Sequence, residues 1–290
     1  MRVYYTDKMV ANSKSYSPSA SKPRKVKDDW IKHFGDLIEI VKPPKILRVD
    51  FYRAHDKKYV DGVLDCKESN GFGNRSPEVA KSLPFTTGAL FAAAKYSIRE
   101  KKPAAALCSG FHHAGYSSGG GFCTFNGLMV TAIKLLEERK VDRVGILDLD
   151  MHYGDGTDNI IKKLGLKNKI AHFTAGEKYT SVEEAEMFLK ILPKLIEHNF
   201  KSVDVILVQL GADPYVNDPL GGWLTIDQLK ERDRIVFETA KKLGKPIAWN
   251  LAGGYTKDKS GNIPEVLEIH RNSVLNCITV YEGEKLRNIA

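Results

Sequence analysis

The chain has 290 residues, 42% of them hydrophobic and 28% charged, an ordinary composition for a globular enzyme of one large α/β domain or two small ones. Its net charge of +8 is scattered except in Lys22-Pro23-Arg24-Lys25-Val26-Lys27; no aromatic residue interleaves there, which predicts a solvated loop and argues against a nucleic-acid partner. Four cysteines without a Cys-x-x-Cys spacing exclude a disulfide framework and imply a reducing, cytoplasmic setting, and no apolar run approaches the roughly 18 residues of a membrane span.

Residues 1–5 read as a first strand rather than a signal peptide. Residues 12–29, rich in Ser, Lys and Pro, predict a surface loop, and 30–41 carry a helical periodicity that stops before Pro43-Pro44. A polar stretch over 55–65 leads to the glycine-rich loop Asn70-Gly71-Phe72-Gly73-Asn74. Within 85–101, Gly88-Ala89-Leu90-Phe91-Ala92-Ala93-Ala94 predicts a small-residue helix suited to close packing on a sheet. A short apolar strand over 103–109 runs into Gly110-Phe111-His112-His113-Ala114. Beyond Phe122-Cys123-Thr124-Phe125-Asn126, the stripe Leu128, Met129, Ala132, Ile133, Leu135 and Leu136 marks another helix. Residues 143–147 and 169–174 read as strands, and 182–199 as a helix that Pro193 should kink. The strongest strand, 203–210, ends at Gly211-Ala212-Asp213; Thr225-Ile226-Asp227 opens a helix, and the strand 246–251 ends at Ala252-Gly253-Gly254-Tyr255. Strands alternating with helices predict a mostly parallel, doubly wound sheet in a single domain over 1–290.

Polar residues gather where these strands end, the edge at which open α/β sheets place their ligands. Asp150 and His152 are two apart after the strand 143–147, so on an extended segment they point to one side. Alone, Asp-x-His is equally a strand end capped by solvated acids. Asp213 supplies a third ligand, and two carboxylates with a neutral imidazole would hold a dication at zero net charge. His112 or His113 could move a proton to and from a water at such a site, while Asp148 and Asp155 could orient the two imidazoles. Tyr255 follows two glycines and could donate its phenol to a bound carbonyl, or could be a half-buried aromatic.

Five motifs together resemble the zinc-dependent histone deacetylase family: Gly110-Phe111-His112-His113-Ala114, Gly120-Gly121-Phe122-Cys123, Asp148-Leu149-Asp150-Met151-His152-Tyr153-Gly154-Asp155-Gly156, Gly211-Ala212-Asp213 with Asp218-Pro219-Leu220-Gly221-Gly222, and Gly253-Gly254-Tyr255. They stand in the family's order across about residues 50 to 255. The resemblance implies the arginase–deacetylase fold, an α/β sheet of about eight mostly parallel strands flanked by helices, and hydrolysis of an N-acetyl-lysine-type amide. It implies zinc on Asp150, His152 and Asp213, a general base and acid in His112 and His113 backed by Asp148 and Asp155, and a carbonyl-polarising Tyr255. Gly121 and Phe122 would line the acyl-lysine channel, and potassium would sit beside the zinc through Asp148 and the main-chain carbonyls of Asp150 and His152. Two departures stand out. Gly127 occupies a position where the family usually has Asp, and 175–180 lacks the family's Phe-bearing channel loop, leaving the second channel wall undefined.

A ureohydrolase with two manganese ions shares that fold, but Gly154 stands where a bridging Asp would be needed. A non-catalytic acyl-lysine binder has no use for all six of these polar groups. Family members that take acetylpolyamines tend to carry an acid near Leu220; an apolar Leu220 leaves a polyamine nitrogen without a counter-charge. The expected substrate is therefore an acetyl-lysine peptide or protein with neutral or acidic flanks, or a small acylated amine, ahead of an acetylpolyamine.

Overall fold

The computed structural model describes residues 1–176 and 178–287. Seven strands form one sheet: β1 (Arg2–Tyr4), β2 (Glu39–Val41), β3 (Ala104–Ser109), β4 (Val144–Asp148), β5 (Ile170–Thr174), β6 (Val205–Gly211) and β7 (Ile247–Ala252). The order is β2-β1-β3-β7-β6-β4-β5, and every pairing is parallel. The sheet thus has seven strands rather than about eight. Residues of β4, β6 and β7 are buried along their whole length, as expected of strands covered by helices on both faces.

Nine helices cover it among the described residues: α1 (Lys22–Phe34), α2 (Arg48–Phe51), α3 (Lys57–Leu64), α4 (Pro77–Glu100), α5 (Gly127–Glu137), α6 (Asp155–Lys163), α7 (Ala185–Phe200), α8 (Ile226–Lys242) and α9 (Pro264–Arg287). None is long and apolar enough to cross a membrane. The small-residue helix begins at Pro77, eight residues before the predicted stretch; Ser76 caps it, and it runs through Pro84. Gly88 is essential to its fit, because a Cβ there would stand 2.1 Å from the carbonyl oxygen of Pro44. Helix α7 likewise continues through Pro193.

The segment 12–41 differs most from expectation. Instead of a loop followed by a helix to Val41, α1 starts at Lys22 and ends before Gly35, and β2 adds an edge to β1 with Arg2 opposite Glu39. Lys22, Pro23, Val26 and Trp30 share the buried face of α1, so the basic cluster is not a solvated loop: its first lysine is inside the protein.

Candidate active site

Four neighbouring strands, β3, β7, β6 and β4, bring the sequence-derived residues to one edge of the sheet. Asp150 and His152 follow β4, and Asp213 follows β6. One ligand atom from each lies within 4.8 Å of the other two. His152 Nδ1 is 3.0 Å from Asp213 Oδ2 and 3.3 Å from Asp150 Oδ1. Glycines make this density possible. A Cβ on Gly211 would come 2.5 Å from Asp150 Cα, and one on Gly253 would come 2.1 Å from the Asp213 carboxylate. Gly253 also holds φ +40, in the region that favours glycine.

Burial and repulsion from Asp150 push the Asp213 carboxyl well above the ordinary carboxylate range. Burial also raises Asp150, but the imidazoles of His112 and His152 outweigh it and hold that group below its ordinary range. Hydrogen bonds to both carboxylates lift His152 to about 10, against the effect of burial. Two buried carboxylates and an imidazole this close offer the oxygen and nitrogen donors of a divalent-cation site, a dication there taking the place of the proton on His152.

The adjacent imidazoles of His112 and His113 have centroids 4.0 Å apart. Each ring is held through Nδ1: His112 by Asp148 Oδ2 at 2.7 Å and His113 by Asp155 Oδ1 at 2.6 Å. That leaves Nε2 of each ring free for other chemistry, and His112 Nε2 lies 3.5 Å from Asp150 Oδ1. Asp148 is completely buried, and its Oδ1 accepts from the Asp150 amide and from Gln209. Burial lowers His112, yet the charges of Asp148 and Asp150 prevail and raise it to about 9. Burial and the neighbouring His112 lower His113. The two rings therefore differ in basicity although they are adjacent.

Tyr255 is half-buried, 5.5 Å from the Phe122 ring between centroids, and burial with the Asp213 and Asp150 charges holds its phenol strongly protonated. Gly121 has φ +51 and carries no Cβ because one would meet the His113 ring at 2.4 Å. Leu220 is half-buried on a loop joined to the Tyr255 loop by a residue the sequence reading gave no role: Asp218 accepts from the Leu220 amide at 3.0 Å and from the Tyr255 amide at 2.7 Å. Lys22 is the second such residue, its ammonium donating to the carbonyls of Ala252 and Gly253. Asp218 stood in a quoted motif two residues before Leu220, but its link to the Tyr255 amide had no local signal. Lys22 carried no local signal.

Both family departures have a structural reading. A Cβ at Gly127 would meet the Phe111 ring at 2.4 Å, so the ring occupies the space of any side chain there. In 175–180, Tyr179 turns inward, 4.8 Å from Phe188 and stacked over Trp223 at 6.2 Å. Glu177, in the same segment, lies outside the described residues.

A model of the histone deacetylase domain matches residues 20–173 and 163–268, and the chain belongs to that family. Among curated proteins, it is 28% identical over 183 residues to an uncharacterized protein of Picosynechococcus, covering 58% of this chain and 59% of that protein. It is 26% identical over 263 residues to histone deacetylase 2 of Arabidopsis thaliana, covering 79% of this chain and 66% of that protein. The matches therefore take in less than two thirds of these relatives. The HD domain of HDA15 superposes with a TM-score of 0.75 at 18% identity, over 97% of this chain and 88% of that domain. An acetylpolyamine aminohydrolase from Burkholderia pseudomallei does so at 0.76 and 16% identity, over 97% of this chain and 99% of that one. At such identities these structures establish a shared fold.

Proposed function

We propose that this chain is a cytoplasmic, zinc-dependent amidohydrolase, a single catalytic domain that removes an acetyl or short acyl group from an N-acyl-lysine-type amide. The observation that carries this reading is the convergence of Asp150, His152 and Asp213 within 4.8 Å beside an aspartate-backed histidine pair. A zinc ion on those three residues would polarise the amide carbonyl and acidify a water. His113, its Nδ1 fixed by Asp155, takes the proton of that water on Nε2. The water oxygen bonds to the acyl carbon, the C–N bond breaks, and the amine leaves with a proton returned by the histidine pair. The products are a carboxylate and a free amine. Tyr255 donates its hydroxyl to the carbonyl oxygen as charge develops there. A potassium ion beside the fully buried Asp148, whose carboxylate is hydrogen-bonded by His112, Gln209 and the Asp150 amide, would offset its charge.

Gly121 and Phe122 line the acyl-lysine channel and Leu220 stands at its mouth. An apolar Leu220 favours an acyl-lysine peptide over an acetylpolyamine, whose ammonium would lose water without gaining a partner. Measuring kcat/KM of the purified zinc-loaded protein on acetyl-lysine peptides, acetylspermidine and acetylputrescine tests this. Higher values on the peptides are expected. Preference for the polyamines would replace the substrate class, and no acyl release from any of them would overturn the catalytic reading.

A further inference from the structure

We propose that a track on the surface beside the channel mouth binds an acidic, apolar-bearing peptide segment flanking the acyl-lysine; this rests on the acyl-lysine reading above. The track starts at Tyr16, 61% exposed, whose ring meets Phe122 edge-on at 5.3 Å. Since Phe122 lies against Tyr255, Tyr16 extends the channel wall outward. Lys257 donates to the Tyr16 carbonyl and ties that loop to the segment after Tyr255.

Next to Tyr16 is a hollow of about 400 Å³ lined by Ser13, Ser15, Ser17 and Arg24. It shares Val10 and Glu78 with an open groove of about 650 Å³, so the two adjoin. Lys8, Lys45 and Lys81 line that groove over a floor that includes Ile46, Leu64 and Phe85. All three lysines are exposed, and none pairs with a carboxylate among the described residues. Lys8 lies 5.4 Å over the Phe85 ring. Arg48, also at the groove, is already committed to Asp61 and Asp65. The opposing charge is Glu78, whose carboxylate accepts the Asn12 amide at 3.0 Å.

Three cations without a carboxylate partner among the described residues, above an apolar floor, match an extended segment bearing carboxylates and an apolar side chain. A nucleic acid fits less well, because Ile46 and Leu64 would cover an apolar side chain but give a base no stacking face, and the face of Phe85 is already covered by Lys8.

The experiment uses the full chain and acetyl-lysine peptides with a tail of about twelve residues, long enough to extend about 40 Å. Tails of Glu and Leu are compared with tails of Gln and Leu, on either side of the acyl-lysine. The double variant Lys45→Glu/Lys81→Glu is the control, with a minimal acetyl-lysine substrate as reference. The wild type should show KM about tenfold lower for a Glu tail than for a Gln tail on at least one side, and the variant should lose that difference. Its turnover of the minimal substrate should stay unchanged. Anisotropy of the Glu–Leu tail alone, without acyl-lysine, should show the same loss of binding in the variant. Equal binding of both tails, equal binding to wild type and variant, or displacement of the Glu tail by a single-stranded RNA oligonucleotide at lower concentration than by free tail would each overturn the proposal. If no acyl-lysine substrate turns over, the catalytic reading fails, and the anisotropy measurement still decides whether the groove holds the acidic segment.

Discussion

The ammonium of Lys22 donates to the main-chain carbonyl of Gly253, two residues ahead of Tyr255. It also donates to Ala252 at 3.2 Å, and so it anchors the loop that carries the phenol. Lys22 is completely buried, and burial lowers its pKa to about 8 even though Asp213, Asp150 and Asp218 favour the charge. Lys22→Met leaves two buried carbonyls without this donor and should cost about 1–3 kcal/mol of stability. If the anchor positions Tyr255, kcat should also fall while KM changes little, with part of the loss recovered in Lys22→Arg. Urea melts and steady-state kinetics read both effects. A stable Lys22→Met enzyme with wild-type kcat would show that the lysine is not needed to place the loop.

Tyr255→Phe removes one hydroxyl and keeps the ring against Phe122. We expect kcat to fall by about 10²–10³, with the zinc content unchanged. An unaltered kcat would make the phenol a packing group.

The histidine pair is asymmetric. His112 is buried at 3% exposure between Asp148 and Asp150, whereas His113 is half-buried and held by the exposed Asp155. His113→Ala should therefore cost more activity than His112→Ala, with both far below wild type. Near-wild-type rates in both variants would remove proton transfer from this pair.

His55 gives a prediction about stability rather than turnover. Its Nδ1 donates to the Gly115 carbonyl at 2.8 Å and its Nε2 accepts from the Asn126 amide at 2.8 Å, an arrangement that only the neutral ring can make. Burial lowers its pKa to about 4, and His270, buried with Lys22 and Arg232 nearby, is lowered as well. The unfolded chain binds protons at its ordinary histidine pKa of about 6.5, before the folded state does. Stability from His55 is therefore complete above pH about 6.5 and is lost as the pH falls towards 4, by about 3 kcal/mol over that window. Denaturant melts at several pH values check this, and His55→Gln should flatten the dependence. An unchanged slope in that variant would assign the acid sensitivity to other groups.

Much of the site was legible because each piece is local. Asp150 and His152 stand two apart after an apolar run, Asp213 follows a second such run, and Tyr255 follows two glycines that the structure explains by contacts at Gly253 and Gly254. Six strands coincide with apolar runs in the sequence; β2, three residues long at the sheet edge, was absorbed into an apparent helix. Lys22 was illegible for a different reason. Among Ser, Pro and other lysines it has the look of a solvated charge, and its burial depends on carbonyls 230 and 231 residues away. Asp218 joins amides at 220 and 255, a tertiary link that no local period encodes.

A catalytic zinc on Asp150, His152 and Asp213 is open to metal analysis coupled to acyl release. The purified chain is stripped with a chelator, its metal content counted, and acetate release from an acetyl-lysine peptide followed before and after zinc is returned. We expect about one divalent ion per chain, no turnover when it is removed and recovery with zinc, and neither binding nor recovery in Asp213→Ala. Full turnover by metal-free protein would contradict it.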